Sequence, residues 1–383
     1  MKAVLAIDSF KGSLSSFEAG CAVREGIKNV FPEAEVIIRP IADGGEGTVD
    51  ALYVGMNGKK EEILVTGPLG KKVLATYSIT EEKIAVIEMS AAAGITLIKP
   101  EERNPLKTTT YGVGEMILDA IKKGCRSFIM GIGGSATNDG GAGMLLSLGF
   151  DLKDKNGNSI SFGAEGLRDL YEIDNKNVIP ELSECEFNIA CDVKNPLCGE
   201  EGATRVYGPQ KGATEEMIKD IDTWLLNYAD ISKKVNPASD KDFPGAGAAG
   251  GLGFCFMTFL NGKLKNGIEL ILEKTRLEDY IKDADLVITG EGRLDGQTLL
   301  GKAPFGVASL AKKYKKAVIA FSGCIGKGAK ALNANGIDAY FPILQNVCTL
   351  KDALDHDNAY ENLKNTAEQA VRLFMLKEKN EIR

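Results

Sequence analysis

A chain of 383 residues is longer than one hydrophobic core usually serves, so two domains are expected. Its 44% hydrophobic and 26% charged content is that of a globular protein, and a formal net charge of −7 with no basic block interleaved with aromatics speaks against a nucleic-acid partner. No apolar run reaches the roughly eighteen residues of a membrane span, and the apolar stretch in MKAVLAIDSF is too short for a signal peptide, so the cytoplasm is the expected compartment.

Lys2–Ile7 is a continuous apolar run of strand length, closed by Asp8. The polar stretch from Asp8 to Ser13 leads to Ser15, with Glu18 three residues on. This capping box opens a helix carrying Ala19, Ala22, Val23, Ile27 and Val30 at helical spacing. Glu35–Ile41 reads as a second strand, followed by the polar loop Asp43–Thr48 and another helix. Strand, polar loop and helix thus occur twice, which begins an α/β sheet with ligand loops at the strand C-terminal ends.

The character changes between residues 61 and 98, where EEILVTGP, KKVLATYSIT and KIAVIEMS read as strands joined by short turns. Thr108–Lys122 is a helix and Ser127–Met130 a strand. The strand runs into GIGGSATNDGGAGM, which allows a tight loop and then a helix beginning near Gly141. Glu186–Cys191 is a further strand ending at Asp192. The cluster YGPQKGAT precedes a helix holding the single tryptophan, Trp224, and Phe243–Phe254 reads as a second Gly/Ala-rich loop.

From residue 268 the alternation of helix and strand returns: Ile268–Thr275 helical, Asp285–Thr289 a strand leading into the loop Gly290–Asp295, then strands Val318–Ser322 and Ala339–Leu344. Glu361–Lys377 is a terminal helix. The two ends share a pattern that the middle lacks. The expected architecture is therefore a discontinuous α/β domain of Rossmann or flavodoxin type with a parallel sheet, residues 1–60 with 268–383. A second, mixed α/β domain, 61–267, is inserted into it, which leaves a cleft between the two.

Eight cysteines form no C-x-x-C pair and read as small buried hydrophobes. The one histidine, His356, lies in a polar segment and reads as a surface residue. His-dependent triads and zinc chemistry are thereby removed, and catalysis is left to carboxylates, Lys, Arg, backbone amides and a hard metal ion.

The segment Gly131–Gly141 is the richest in chemistry. Glycines let backbone amides approach a ligand, a helix N-terminus favours negative charge, and Ser135, Thr137, Asn138 and Asp139 add polar groups. A phosphate is expected there, cradled by Gly133, Gly134, Ser135, Thr137, Asn138 and Asp139. Two familiar signatures nearly match. Gly131–Ala136 fits G-x-G-x-x-A, with Asp151 twenty residues past Gly131, which outlines a dinucleotide fingerprint. Asp139 would crowd the pyrophosphate, which counts against it. Gly296–Lys302 fits a Walker A, but Ala303 replaces its Ser or Thr. Lys302 stays a candidate phosphate contact.

The polar loops at strand ends suit phosphoryl transfer, which needs cations and amides around phosphates, carboxylates for Mg²⁺ and one carboxylate to take the hydroxyl proton. In this order, DSFKGSLSS, PIADGGEGT, GIGGSATNDGGAGM, ACDVKNPLCGEEGA, YGPQKGA and TGEGRLDGQTLLGKAPFGVA resemble the class I bacterial glycerate kinase family over essentially the whole chain. The resemblance implies phosphorylation of D-glycerate by ATP with Mg²⁺, for most bacterial members at the 2-hydroxyl to give 2-phosphoglycerate. It also implies a two-domain α/β enzyme with its site in the interdomain cleft.

The residue roles come from chemistry and position. Arg293 is expected to clamp the glycerate carboxylate bidentately, with Ser9 and Lys11 as further substrate contacts. Lys11 is also expected to meet phosphate. Asp192 is the expected general base and Asp295 its rival, while Asp8, Asp43 and Glu46 are expected to hold Mg²⁺. The partners are then ATP and D-glycerate, with the chain a monomer or homodimer. The competing readings are a nicotinamide-dependent oxidoreductase acting on a small hydroxy acid and a non-catalytic ligand-binding protein.

Overall fold

The structure is a computed structural model that describes residues 1–42 and 58–376. Asp43, Glu46 and the helix expected after Thr48 lie outside the described residues. In chain order the strands are β1 (Lys2–Ile7), β2 (Glu35–Ile38), β3 (Lys59–Thr66), β4 (Lys72–Ile79), β5 (Ile84–Glu88) and β6 (Ser127–Gly131). They continue with β7 (Asp151–Lys153), β8 (Glu172–Asp174), β9 (Glu186–Ala190), β10 (Lys263–Lys265), β11 (Leu286–Leu294), β12 (Ala317–Ile325) and β13 (Ala339–Pro342). They fall into two compact units. One holds the described residues before 43 and from Ile268 onward, the other those from 58 to Gly267.

The first unit is built on a five-stranded sheet in the order β13-β12-β11-β1-β2, every pair parallel. Counted along the chain, its strands lie in the order 2-1-3-4-5, the flavodoxin-type arrangement, so the switch point falls between β1 and β11. Alternation divides the strands between two faces. Leu5, Ile7, Ile288 and Phe321 share a core with Ala19, Val23 and Ile27 of the helix Ser16–Val30 and with Leu363, Ala367 and Val371 of the helix His356–Phe374. The first of these helices starts on the predicted box: Ser15 accepts from the Glu18 amide, and Glu18 accepts from that of Ser15. The helix Ala303–Lys313 packs on β11, β12 and β1.

The second unit has a six-stranded mixed sheet, β10-β9-β6-β5-β4-β3. Strands β5, β6, β9 and β10 run parallel, while β4 and β3 form the antiparallel meander expected from residues 61–98. Its core is aromatic at the centre. Phe128 and Phe187 stack with centroids 4.7 Å apart, and Phe256 lies 5.7 Å from Phe187.

Two expectations are corrected. Gly290–Leu294 is not a loop: β11 runs on to Leu294, paired with an equally extended β12 from Gly290↔Phe321 to Leu294↔Ile325. Glycine and charge in that stretch look like a loop to a propensity rule, but the ladder to β12 overrides it. Phe243–Phe254 is not all loop either. A left-handed triplet, Ala249–Gly251, turns the chain, and the apolar run through Phe254, Cys255 and Phe256 continues as buried helix to Leu260.

Candidate active site

In the first unit the site residues gather where β1 ends beside Gly290 and β11 runs on past it to Leu294. The Asp8 amide donates to the Gly290 carbonyl at 2.9 Å, and the Asp8 carboxylate, 4% exposed, accepts from the Ser9 amide at 2.6 Å. The chain then doubles back through reciprocal bonds between Phe10 and Leu14, 2.9 and 3.1 Å. Gly12 takes a left-handed φ of 87° at the tip, where a side chain would be strained. Lys11 is thereby exposed beside Gly12, and its amide lies against Gly292, 3.4 Å from where a Cβ would stand.

The extended β11 supplies the rest of this site. Arg293 is 65% exposed at its side chain, with Nε 3.1 Å from the Asp295 carboxylate. That carboxylate is itself 14% exposed and caps the turn Gly296–Leu300 by accepting from the Gln297 amide at 2.9 Å. Both Asp295 oxygens therefore serve the turn and Arg293, a structural use that weakens it as the rival base. Glu291, 8% exposed, accepts from the Thr298 hydroxyl at 2.8 Å and pairs with Lys302 at 3.2 Å. Lys302 is thus turned onto Glu291, and the Walker-like stretch is a 3₁₀ turn, Gly296–Leu300, that precedes the helix Ala303–Lys313.

In the second unit the glycine loop leaves β6 and Asp192 leaves the neighbouring β9, at the same edge of the sheet. Asp192 is exposed, and its Oδ1 accepts from the Gly267 amide at 2.9 Å. Gly133 and Gly134 are exposed, and Ser135 is 8% exposed. An antiparallel bridge ties this strip to Gly94, with the Ile95 amide on the Gly134 carbonyl and the Ala136 amide on the Ala93 carbonyl, each at 2.9 Å.

The side chains that follow face inward, which corrects the expectation that they touch phosphate. Thr137, Asn138 and Asp139 are fully buried. The Asp139 carboxylate accepts from the amide and hydroxyl of Thr110 at 2.8 and 2.9 Å, and from the amides of Gly141 and Gly143 at 3.1 and 3.3 Å. It closes the N-terminus of the helix Ala142–Ser147, where the dipole also favours it. Burial raises the pKa of Asp139, opposed by these donors. Asn138 donates to the Thr204 hydroxyl at 2.7 Å. The Thr137 carbonyl receives the ammonium of Lys211 at 2.6 Å, and Lys211, 2% exposed, has its pKa lowered to about 7 by burial.

The donor set for Mg²⁺ is partly in view. Asp8 provides a carboxylate at a strand end, while Asp43 and Glu46 lie outside the described residues. Among the described residues no group of three or more His, Cys, Asp or Glu is placed to hold a metal. Mg²⁺ asks less than that, since it keeps several waters and takes substrate phosphates, so Asp8 fits as one ligand.

Set beside known proteins, residues 3–375 match the sequence model of the Glycerate kinase family. The chain is 48% identical to glycerate 2-kinase of Escherichia coli K12 over 95% of both chains. It is 47% identical to glycerate kinase of Haemophilus influenzae over 98% of this chain and all of the other. A crystal structure from Salmonella typhimurium LT2, provisionally designated glycerate kinase 2, superposes with a TM-score of 0.91 at 46% identity, covering 99% of each chain. The chain belongs to the glycerate kinase family.

Membership in that family leaves the nicotinamide alternative without support, and the loop geometry agrees. A dinucleotide fingerprint opens its helix within the glycine motif, whereas here the helix starts at Ala142, well past Ala136. Sequence reasoning missed Glu291, Thr298, Thr110, Thr204 and Lys211 in this family member. Glu291 stood within TGEGRLDGQT, an acid between two glycines at a strand end, and that was a usable signal. For Lys211 there was none, since a lysine among polar residues and glycines looks like surface.

Proposed function

We propose that the chain phosphorylates D-glycerate with ATP at the 2-hydroxyl, giving 2-phosphoglycerate and ADP. The observation that carries this reading is an exposed arginine, Arg293, at the switch point of a flavodoxin-order sheet in a chain of the glycerate kinase family. Arg293 offers a planar fork to the glycerate carboxylate, oriented by Asp295, with Ser9 and Lys11 nearby on the adjacent strand end. Lys11 serves phosphate charge. The strip Gly133–Ser135, exposed at its two glycines, offers amides to phosphate oxygens.

Asp192 is the proposed base. It accepts the proton of the 2-hydroxyl as that oxygen bonds the γ-phosphorus and the bond to the bridging oxygen of ADP breaks. Asp8, with Asp43 and Glu46, would hold Mg²⁺, which supplies charge neutralisation on the β- and γ-phosphates when bound. The eight free cysteines suit a reducing compartment, and the cytoplasm is the proposed location.

Incubation with ATP, Mg²⁺ and D-glycerate, followed by phosphorus NMR, tests the reading. The expected result is a new resonance of 2-phosphoglycerate growing with ADP. A 3-phosphoglycerate signal would overturn the regiochemistry, and no consumption of ATP would overturn the activity.

A further inference from the structure

We propose that Lys211 is a positioning residue for phosphate binding, holding the Gly133–Ser135 strip in register through the carbonyl of Thr137. The inference rests on the reading that this strip cradles phosphate. The loop is fastened at two points. On one side the bridge to Gly94 holds Gly134 and Ala136. On the other, the Lys211 ammonium donates to the Thr137 carbonyl at 2.6 Å, and that carbonyl is also hemmed by Gly250, where a Cβ would come within 2.2 Å of it.

A neutral donor would tie down a carbonyl at far lower cost. Removing an ammonium from water is expensive unless charge or several hydrogen bonds compensate, and Lys211 is 2% exposed. Asp139 is the charged group that acts on it, through space and with its own oxygens taken up by Thr110, Gly141 and Gly143. Arg103, whose guanidinium sits on the Gln210 carbonyl at 3.4 Å, is the neighbouring cation on the chain that packs against Gly212. The cost of burying Lys211, which lowers its pKa to about 7, would be offset by an anion bound at the exposed Gly133 and Gly134 amides, four and three residues before the carbonyl it holds. The segment YGPQKGA then has a role: it delivers the lysine that holds the Thr137 carbonyl.

The test is steady-state kinetics of the full chain with Gly134→Val, Lys211→Met and Lys211→Gln, each first shown to be folded by circular dichroism. Lys211→Met should raise KM for ATP about tenfold, as expected for loss of a buried hydrogen bond, with KM for D-glycerate changed less than about twofold. Lys211→Gln keeps a donor for Thr137 and should recover part of the loss; if Lys211→Met does not fold, Lys211→Gln carries the same comparison with a smaller rise. A folded Lys211 variant with unchanged KM for ATP, or with both KM values raised alike, overturns the inference. If Gly134→Val leaves KM for ATP unaltered, the cradle reading itself fails. If Gly134→Val raises it and the Lys211 variants do not, only the role of Lys211 fails.

Discussion

The Gly131–Gly141 segment of one unit and the Gly290–Asp295 segment of the other are built in opposite ways, though both hold glycines and both lie at the C-terminal end of a parallel strand, the first leaving it and the second continuing it. In the first, the charged and amide side chains are buried in the scaffold: Asp139 takes four donors and the Asn138 amide nitrogen is tied to Thr204, while its Oδ1 is buried without a partner. What reaches solvent there is backbone, at Gly133 and Gly134. In the second, the backbone is locked in a ladder with β12 and the side chains do the reaching, Arg293 outward and Glu291 to Lys302. A ligand site can thus be written in amides or in side chains. Which of the two a Gly-rich strand end uses depends on whether its polar residues are needed to finish the fold.

The widest way to break this contrast is stability. Asp139→Ala leaves four donors without an acceptor in a fully buried place and should cost about 3–5 kcal/mol in urea unfolding. Asp295→Ala removes only a cap and an exposed ion pair and should cost about 1 kcal/mol. Equal midpoints for the two variants would erase the distinction. Next comes chemistry. Asp192→Asn should lower kcat by about a hundredfold with KM little changed, if this exposed carboxylate takes the proton. Near-normal turnover would return the role to Asp295. Smaller still, Arg293→Met should raise KM for D-glycerate about tenfold while leaving the melting temperature alone, since the arginine is mostly in water. An unchanged KM removes it from the carboxylate clamp.

Much of the scaffold was legible because apolar runs announce buried parallel strands. Lys2–Ile7 and Ser127–Met130 are hydrophobic on both faces, as a sheet covered by helices requires. The capping box at Ser15 and Glu18 was equally plain. The site was legible as a set of strand-end loops and much less so as contacts. Nothing in ATND says that Thr137, Asn138 and Asp139 turn inward, because that depends on Thr110, Thr204 and Gly250, all distant in the chain. Likewise Lys302 fits a phosphate motif by spacing, and only the extension of β11 brings Glu291 to it. Local pattern gives a residue its place along an element, while its partner across the fold decides its use.

The smallest effect tests the exposed side of the contrast. His356, the one histidine, stands 2.9 Å from Asp357 and 3.3 Å from Glu18, the capping glutamate of the first helix. Hydrogen bonds to these two carboxylates raise its pKa above the ordinary value, Asp357 first. A raised folded-state pKa means that the folded protein binds more protons than the unfolded chain through the window above about 6.5. The contribution is therefore fully present below that value and disappears as pH climbs through the raised one. Wild type should exceed His356→Gln in melting temperature by a small margin at pH 5.5, with the gap narrowing as pH rises above about 6.5 and shrinking in high salt. A gap that widens with pH would reverse the sign of the linkage. A gap indifferent to salt would mean that His356 acts by packing on Tyr360, whose ring lies 6.4 Å away, and not by charge.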